Sequence, residues 1–221
     1  MAANIRSKVI IFDLDGTLIS GIEYIYSHLW EYFDVPHDRH KQPVLDYLNK
    51  KITYEQWVKE DIRLLQEAGA DKSSMLDAFS ELTLVDGALE TINELKNANM
   101  KLIVISGSIE LTLRSVLPDY EKLFDDVFIN RYFFDDAGLI THATPTPYDM
   151  EHKATGVIDM ADKYGCTPEE CVFIGDAEND VHAASAAGFS IAFNCKSDML
   201  GEVSDVIIKS DNIKDILKHI L

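Results

Sequence analysis

Three short runs of β-type apolar residues stand out along this chain: Val9-Ile10-Ile11-Phe12, Leu102-Ile103-Val104-Ile105 and Val172-Phe173-Ile174. Uninterrupted runs of this kind read as strands buried on both faces of a parallel sheet. Each gives way to a polar cluster: Asp13-Leu14-Asp15-Gly16-Thr17, Ser106-Gly107, and Gly175-Asp176-Ala177-Glu178-Asn179-Asp180. In open α/β sheets, ligands bind beyond the carboxyl ends of the strands, so the three clusters are expected to converge on one pocket.

Between the first two runs the apolar spacing turns helical. Ile22, Ile25, Tyr26, Leu29, Tyr32 and Phe33 recur at three-to-four spacing, as do Val44, Leu45 and Leu48, then Trp57, Val58, Ile62 and Leu65. Pro36, Pro43, the stretch Lys50 to Thr53, and Gly69-Ala70-Asp71 serve as breakers and caps. The pattern predicts a helical cap over residues 21–84, inserted into a core made of residues 1–20 and 85–221.

From Asp86 the βα alternation resumes: a helix to about Ala98, the second buried run, a helix from Ile109 to Leu117 and a strand near Val127 to Asn130. A hairpin follows, Tyr132-Phe133-Phe134 against Leu139-Ile140-Thr141, then a loop through Pro145 and Pro147. A helix from about Met150 to Tyr164 leads to the third run. After it come a helix from Glu178 to Ala187, strands near Ile191 and Val206, and a last helix from Asp211 to His219. Such alternation predicts an α/β fold, a Rossmann-like, mostly parallel sheet with helices on both faces.

Composition narrows the partners. The 221 residues carry 38 acidic against 20 basic side chains, a formal net charge of -18, which opposes binding to nucleic acid or to an anionic membrane. A phosphate ester remains acceptable, because a metal ion, one lysine and backbone N–H groups can reverse the local potential inside a cleft. Cys166, Cys171 and Cys195 form no C-x-x-C pair and read as free thiols of a reducing compartment. Met1 to Lys8 contains no secretory core, and no window reaches the roughly 20 apolar residues of a spanning helix. A cytoplasmic protein is expected.

The polar clusters supply a specific chemistry. Asp13 and Asp15 leave the first strand two positions apart, on the same side of an extended backbone. One carboxylate can attack phosphorus while its neighbour protonates the departing alkoxide and later deprotonates water; Asp13 is assigned the attack and Asp15 the proton transfers. Gly16 permits a sharp turn, and the Thr17 hydroxyl is expected to hold Asp13. Ser106 and Gly107 are expected at a helix N-terminus, with backbone N–H groups near phosphate oxygens. Lys153 would offset the charge of Asp13 and of the transferring phosphoryl group. Asp176, Asp13 and the carbonyl of Asp15 suit Mg²⁺, a cation that takes hard oxygen ligands. Asp180 is expected to orient a metal-bound water or Lys153, and Asn179 to contact phosphate.

Taken in order, these residues resemble the haloacid-dehalogenase-like (HAD) hydrolase superfamily, and within it the phosphoserine-phosphatase-like branch. Asp13-Leu14-Asp15-Gly16-Thr17-Leu18 matches the first motif, Ser106-Gly107 the second, Lys153 the third, and Gly175-Asp176 through Asp180 the fourth. The likeness implies a mobile cap and a Mg²⁺-dependent, two-step transfer of a phosphoryl group to Asp13 and then to water. It also implies a substrate-binding cap glutamate, for which Glu23 stands one residue displaced, and a cap arginine for a substrate carboxylate. Asp61 falls where that arginine belongs, with Lys59 and Arg63 nearby. An aspartate there would repel a carboxylate. The expected substrate is therefore a small phosphorylated metabolite other than phosphoserine.

A phosphomutase or phosphotransferase would share every core residue and is separated by release of inorganic phosphate. A non-catalytic binding protein on the same fold is disfavoured, since every expected catalytic residue is present. Asp15, which dehalogenases lack, argues against the dehalogenation for which the superfamily is named.

Overall fold

The computed structural model describes residues 8–221. The expectation that no secretory leader is present falls on residues 1–7, outside the described residues.

The chain opens with β1 (Val9–Phe12) and β2 (Ile19–Ser20), then α1 (Ile25–Tyr32), α2 (His37–Leu48), α3 (Tyr54–Glu67) and α4 (Lys72–Ala78). Next come β3 (Thr83–Leu84), α5 (Ala88–Asn97), β4 (Lys101–Ile109), α6 (Glu110–Val116), α7 (Tyr120–Leu123), β5 (Asp126–Phe134) and β6 (Ile140–Thr144). The remainder is α8 (Lys153–Lys163), β7 (Cys171–Gly175), α9 (Val181–Ala186), β8 (Phe189–Phe193), α10 (Asp198–Val203), β9 (Val206–Ile208) and α11 (Leu217–Ile220).

Seven strands form one sheet in the order β6-β5-β4-β1-β7-β8-β9, parallel except for the β5–β6 pair at one edge. The three apolar runs thus lie side by side at its centre, β1 between β4 and β7. Alternation of side chains along β1 assigns its residues to opposite faces. Ile10 and Phe12 pack with Leu102, Val104, Ile92 and Leu113, under α5 and α6. Val9 and Ile11 pack with Ile103, Ile105, Val157, Met160 and Ala183, under α8 and α9. Both faces are covered, as all-parallel pairing requires.

Helices α1–α4 leave and rejoin the sheet through a small antiparallel ribbon, β2 against β3, with Ile19 opposite Leu84 and Ser20 opposite Thr83. The insertion is therefore not helical up to its ends. Pro43 does not break the chain: it lies inside α2 with its ring buried. Leu45 and Leu48 are exposed, so the expected α2 stripe faces out of the bundle, whereas Trp57, Val58, Ile62 and Leu65 of α3 are buried. β4 also runs further than the apolar pattern suggests, through Ser106 and Gly107 to Ile109, with a register break after Ile105. Those two residues sit in a strand end, and the helix starts only at Glu110. Two short helices, α7 and α10, carry too few residues for a helical period to be read, and the last helix opens as a 3₁₀ turn over Ile213–Ile216 that continues into α11.

Candidate active site

The carboxyl ends of β1, β4 and β7 meet where the strand pattern places them. The Asp13 N–H donates to the carbonyl of Ile174 at 2.9 Å, extending the β1–β7 ladder one residue and setting Asp13 beside Gly175-Asp176. Lys153, the first residue of α8, is fully buried; its ammonium donates to Asp13 at 2.8 Å and to Asp180 at 2.7 Å. Asp180 in turn accepts from the Asp176 N–H at 3.1 Å, which folds the loop after β7 back onto the lysine.

Carboxylate oxygens of Asp13, Asp176 and Asp180 lie within 4.8 Å of one another. One buried ammonium cannot neutralise three buried carboxylates. Burial works against the charge of Lys153, but Asp13, Asp180 and Asp149 outweigh it and hold the ammonium above its usual range. Asp176 is pushed up to about 8 by burial and then by the charges of Asp13 and Asp180. Burial and then Asp13 raise Asp180 despite its bond to Lys153. Asp176 Oδ2 is buried and, among the described residues, has no hydrogen bond of normal geometry; its one ion pair is with Lys196, half exposed, at 3.3 Å. A deficit of positive charge, hard oxygen donors and a buried carboxylate oxygen without a hydrogen bond together fit a small divalent cation such as Mg²⁺. Asp180 belongs to the same group, with one oxygen accepting from Lys153 and the other from the Asp176 and Ala177 N–H groups.

Asp15 lies in a different setting. Its carboxylate accepts from the Ser108 hydroxyl at 2.8 Å and from the Ile25 N–H at 2.8 Å, and burial followed by the Asp13 charge pushes it up to about 7. The turn between the two acids depends on Gly16, whose φ is +73° and where a Cβ would run into the Asp176 carboxylate. Thr17 corrects one expectation: its hydroxyl donates to Asp176 at 3.3 Å, not to Asp13, because the turn carries it across to β7.

Ser106 is buried and its hydroxyl accepts from the Ser108 N–H at 3.2 Å. A Cβ on Gly107 would lie 2.6 Å from the Asp149 carboxylate. Two further sequence-selected residues line cavities. Asn179 lines a cavity of about 720 Å³ with Tyr47, Gln56, Met150 and His182. Glu23 is exposed at a second cavity, of about 300 Å³, beside Glu178 and Lys196. Arg63 is exposed and paired with Glu60 and Glu67, and Lys59 with Glu55, so neither enters the site.

Asn130, Ser108 and Asp149 were not singled out by the sequence. Fully buried Asn130 donates to the Gly107 carbonyl at 2.6 Å and accepts from the Thr146 N–H at 2.8 Å. The signal was present: Asn130 ends an apolar run in the same way as Asp13 and Ser106 do. Asp149 precedes Lys153 by one helical turn and is raised by burial, with Lys153 opposing.

Residues 7–188 match the family model of the haloacid dehalogenase-like hydrolases. The chain is 29% identical over 218 residues to a phosphoserine phosphatase of Methanocaldococcus jannaschii, covering 97% of this chain and 98% of that one. It is 23% identical to a beta-phosphoglucomutase of Bacillus subtilis, over 91% and 89% of the two chains. A substrate-bound phosphoserine phosphatase superposes with a TM-score of 0.74 at 28% identity, covering 96% and 98% of the two chains. A phospho-aspartyl intermediate analogue of phosphoserine phosphatase gives 0.73, at the same identity and coverage. The chain belongs to the haloacid dehalogenase-like hydrolases, in their phosphoserine phosphatase-like branch. By class it is a phosphoric monoester hydrolase.

Proposed function

We propose that this chain is a Mg²⁺-dependent phosphatase that hydrolyses a small phosphomonoester through an aspartyl-phosphate on Asp13. One observation carries the reading: two acids of a single turn have opposite surroundings. Asp13 is ion-paired with Lys153 at 2.8 Å, whereas Asp15 is held by the Ser108 hydroxyl and the Ile25 N–H. Acid and nucleophile are separated in this way when one fold must perform both tasks.

Asp13 attacks phosphorus, and the P–O bond to the leaving alkoxide breaks as the proton of Asp15 passes to that oxygen. The ionised Asp15 then takes a proton from water, whose oxygen attacks the same phosphorus. The bond to Asp13 breaks, inorganic phosphate leaves, and both acids return to their starting state. Lys153 remains charged and offsets the negative charge on the phosphoryl oxygens. Asp13, Asp176 and the carbonyl of Asp15 would hold Mg²⁺, which supplies positive charge to the phosphoryl group when bound, while Asp180 holds Lys153 beside them. The phospho-aspartyl analogue of the related phosphatase supports assigning the covalent step to Asp13.

Residues 21–84 serve as the cap over this site in our reading, in a cytoplasmic enzyme. Phosphoserine is not the favoured substrate: no arginine or lysine of α3 faces the site, and Asp61 is buried there instead. Release of phosphate from a panel of monoesters, with Mg²⁺ and after EDTA, tests the assignment. Activity should require the metal and should vanish in Asp13→Asn; turnover that persists in either case overturns it. The mutase relative keeps a second reading in view, and isomerisation of a sugar phosphate without phosphate release would favour that one.

A further inference from the structure

The second motif owes its shape to a gap in the sheet. β4 and β5 pair through Ile105 and Phe128 and again through Ile109 and Asn130, so Ser106, Gly107 and Ser108 stand opposite Ile129 alone. Backbone groups in such a bulge lose their ladder partners and must find others. Asn130 supplies one: its side-chain amide, fully buried, donates to the Gly107 carbonyl at 2.6 Å. The amide cannot be turned over, because its Oδ1 accepts from the Thr146 N–H at 2.8 Å.

A peptide plane carries that hold to the reaction groups. The Gly107 carbonyl and the Ser108 N–H belong to one rigid unit and point in opposite directions, so fixing the first aims the second. The Ser108 N–H donates to the Ser106 hydroxyl oxygen at 3.2 Å, which leaves Ser106 its own proton to give. The Ser108 hydroxyl, carried on the same unit, donates to Asp15 at 2.8 Å. Asp149 closes the other side: a Cβ on Gly107 would lie 2.6 Å from its carboxylate, so the peptide has no room to swing that way.

The remaining donor of Asn130 is taken by the inserted helices. Nδ2 donates to the Tyr54 hydroxyl at 2.9 Å and lies 3.3 Å from that of Tyr26. Tyr54 is the first residue of α3, whose start is fixed by a capping box: Thr53 accepts from the Gln56 N–H at 3.2 Å, and the Gln56 side chain accepts from the Thr53 N–H at 2.8 Å. The phenol is thus delivered to a set place.

We propose that Asn130 is a positioning residue for Asp15, acting through the Gly107–Ser108 peptide, and that the Tyr54 hydroxyl completes this support from α3. Proton transfer to a leaving oxygen demands hydrogen-bond reach, and a displacement of about 1 Å far from the chemistry is enough to lose it. Without the amide, the Gly107 carbonyl is left buried and unpaired, and the peptide that carries Ser108 is free to rotate.

The inference rests on the phosphatase reading and names what holds its acid in place. Phenyl phosphate and p-nitrophenyl phosphate test it on the full chain with Mg²⁺, because phenolate is the stronger base and depends more on the proton of Asp15. The comparison is made in kcat/KM, which ends at transfer to Asp13 and is blind to the later attack by water. Asn130→Ala should lose about a hundredfold on phenyl phosphate and at most about tenfold on p-nitrophenyl phosphate. Tyr54→Phe, which removes one hydroxyl and keeps the ring, should shift the ratio of the two esters the same way by about three- to tenfold. Ser108→Ala should shift it too, and adding Asn130→Ala should shift it no further, since both act along one path. Equal losses on the two esters describe a merely structural role and overturn this inference alone. So does a parental ratio in Tyr54→Phe, the variant that decides the matter if Asn130→Ala does not fold. Absence of hydrolysis of either ester by the unaltered protein overturns the phosphatase reading and this inference with it.

Discussion

The ammonium of Lys153 lies 2.7 Å from a carboxylate oxygen of Asp180 and 2.8 Å from one of Asp13, with none of the lysine exposed. Removing that cation strands two buried carboxylates. Lys153→Met, which keeps the packing volume, is expected to cost about 3–5 kcal/mol of stability in metal-free protein. Phosphate release should fall by about a hundredfold or more. Urea unfolding at constant m-value measures the first effect, and added Mg²⁺ should recover part of the loss. A variant as stable as the parent would mean that the lysine is not neutralising these acids.

Asp176 stores an opposite cost. Its buried Oδ2, met only by half-exposed Lys196 among the described residues, destabilises the metal-free protein, so Asp176→Asn should melt above the parent in EDTA. The parent should gain about 2.7 kcal/mol at a Mg²⁺ concentration of about 100 Kd, and the variant almost nothing. Thermal melts across a Mg²⁺ titration read both effects. An unchanged Mg²⁺ response would remove Asp176 from the metal site.

Gly16 combines a left-handed φ of +73° with a position where a Cβ would collide with the Asp176 carboxylate. Gly16→Ala should therefore lose more than about 1 kcal/mol. It should also weaken the Mg²⁺-induced shift, since Asp176 must move. An alanine variant with parental metal response would show that the turn has slack.

The centre of the sheet was legible because β1, β4 and β7 are buried on both faces and so read as continuous apolar runs. The acids at their ends followed from position alone. α2 misled because Leu45 and Leu48 repeat at helical spacing while facing outward, and spacing reports a face without saying what covers it. Asp180 accepts from Lys153 and also lies within 4.8 Å of Asp13 and Asp176, a juxtaposition made by a backbone turn that only coordinates reveal. Asn130 was overlooked because an amide carries no charge to mark it, although it joins the second motif to Tyr54.

Asp61 gives a pH-dependent signature. Burial and then the opposing action of Trp57, with Glu60 adding to burial, leave its carboxyl well above the usual range; Tyr24, Tyr26 and Tyr132 are the other titratable neighbours. A raised folded-state value means that this group's contribution to stability is intact below about pH 4, its unfolded value, and is lost as pH rises through the folded one. Asp61→Asn should match the parent near pH 4 and exceed it increasingly toward pH 8. A gap of about 1 kcal/mol corresponds to roughly 2–4 °C in Tm for a chain of this length. Melts showing a constant or reversed gap would contradict the burial of an ionisable carboxyl at this place.

The β2–β3 ribbon sets Ile19 against Leu84, and the hydroxyls of Ser20 and Thr83 stand 2.8 Å apart. Entry to and exit from the intervening helices are thus adjacent, like the two posts of one doorway. A recombination event or a designed splice at that doorway can exchange the inserted helices as a cassette while the acids at the ends of β1 and β7 stay in register.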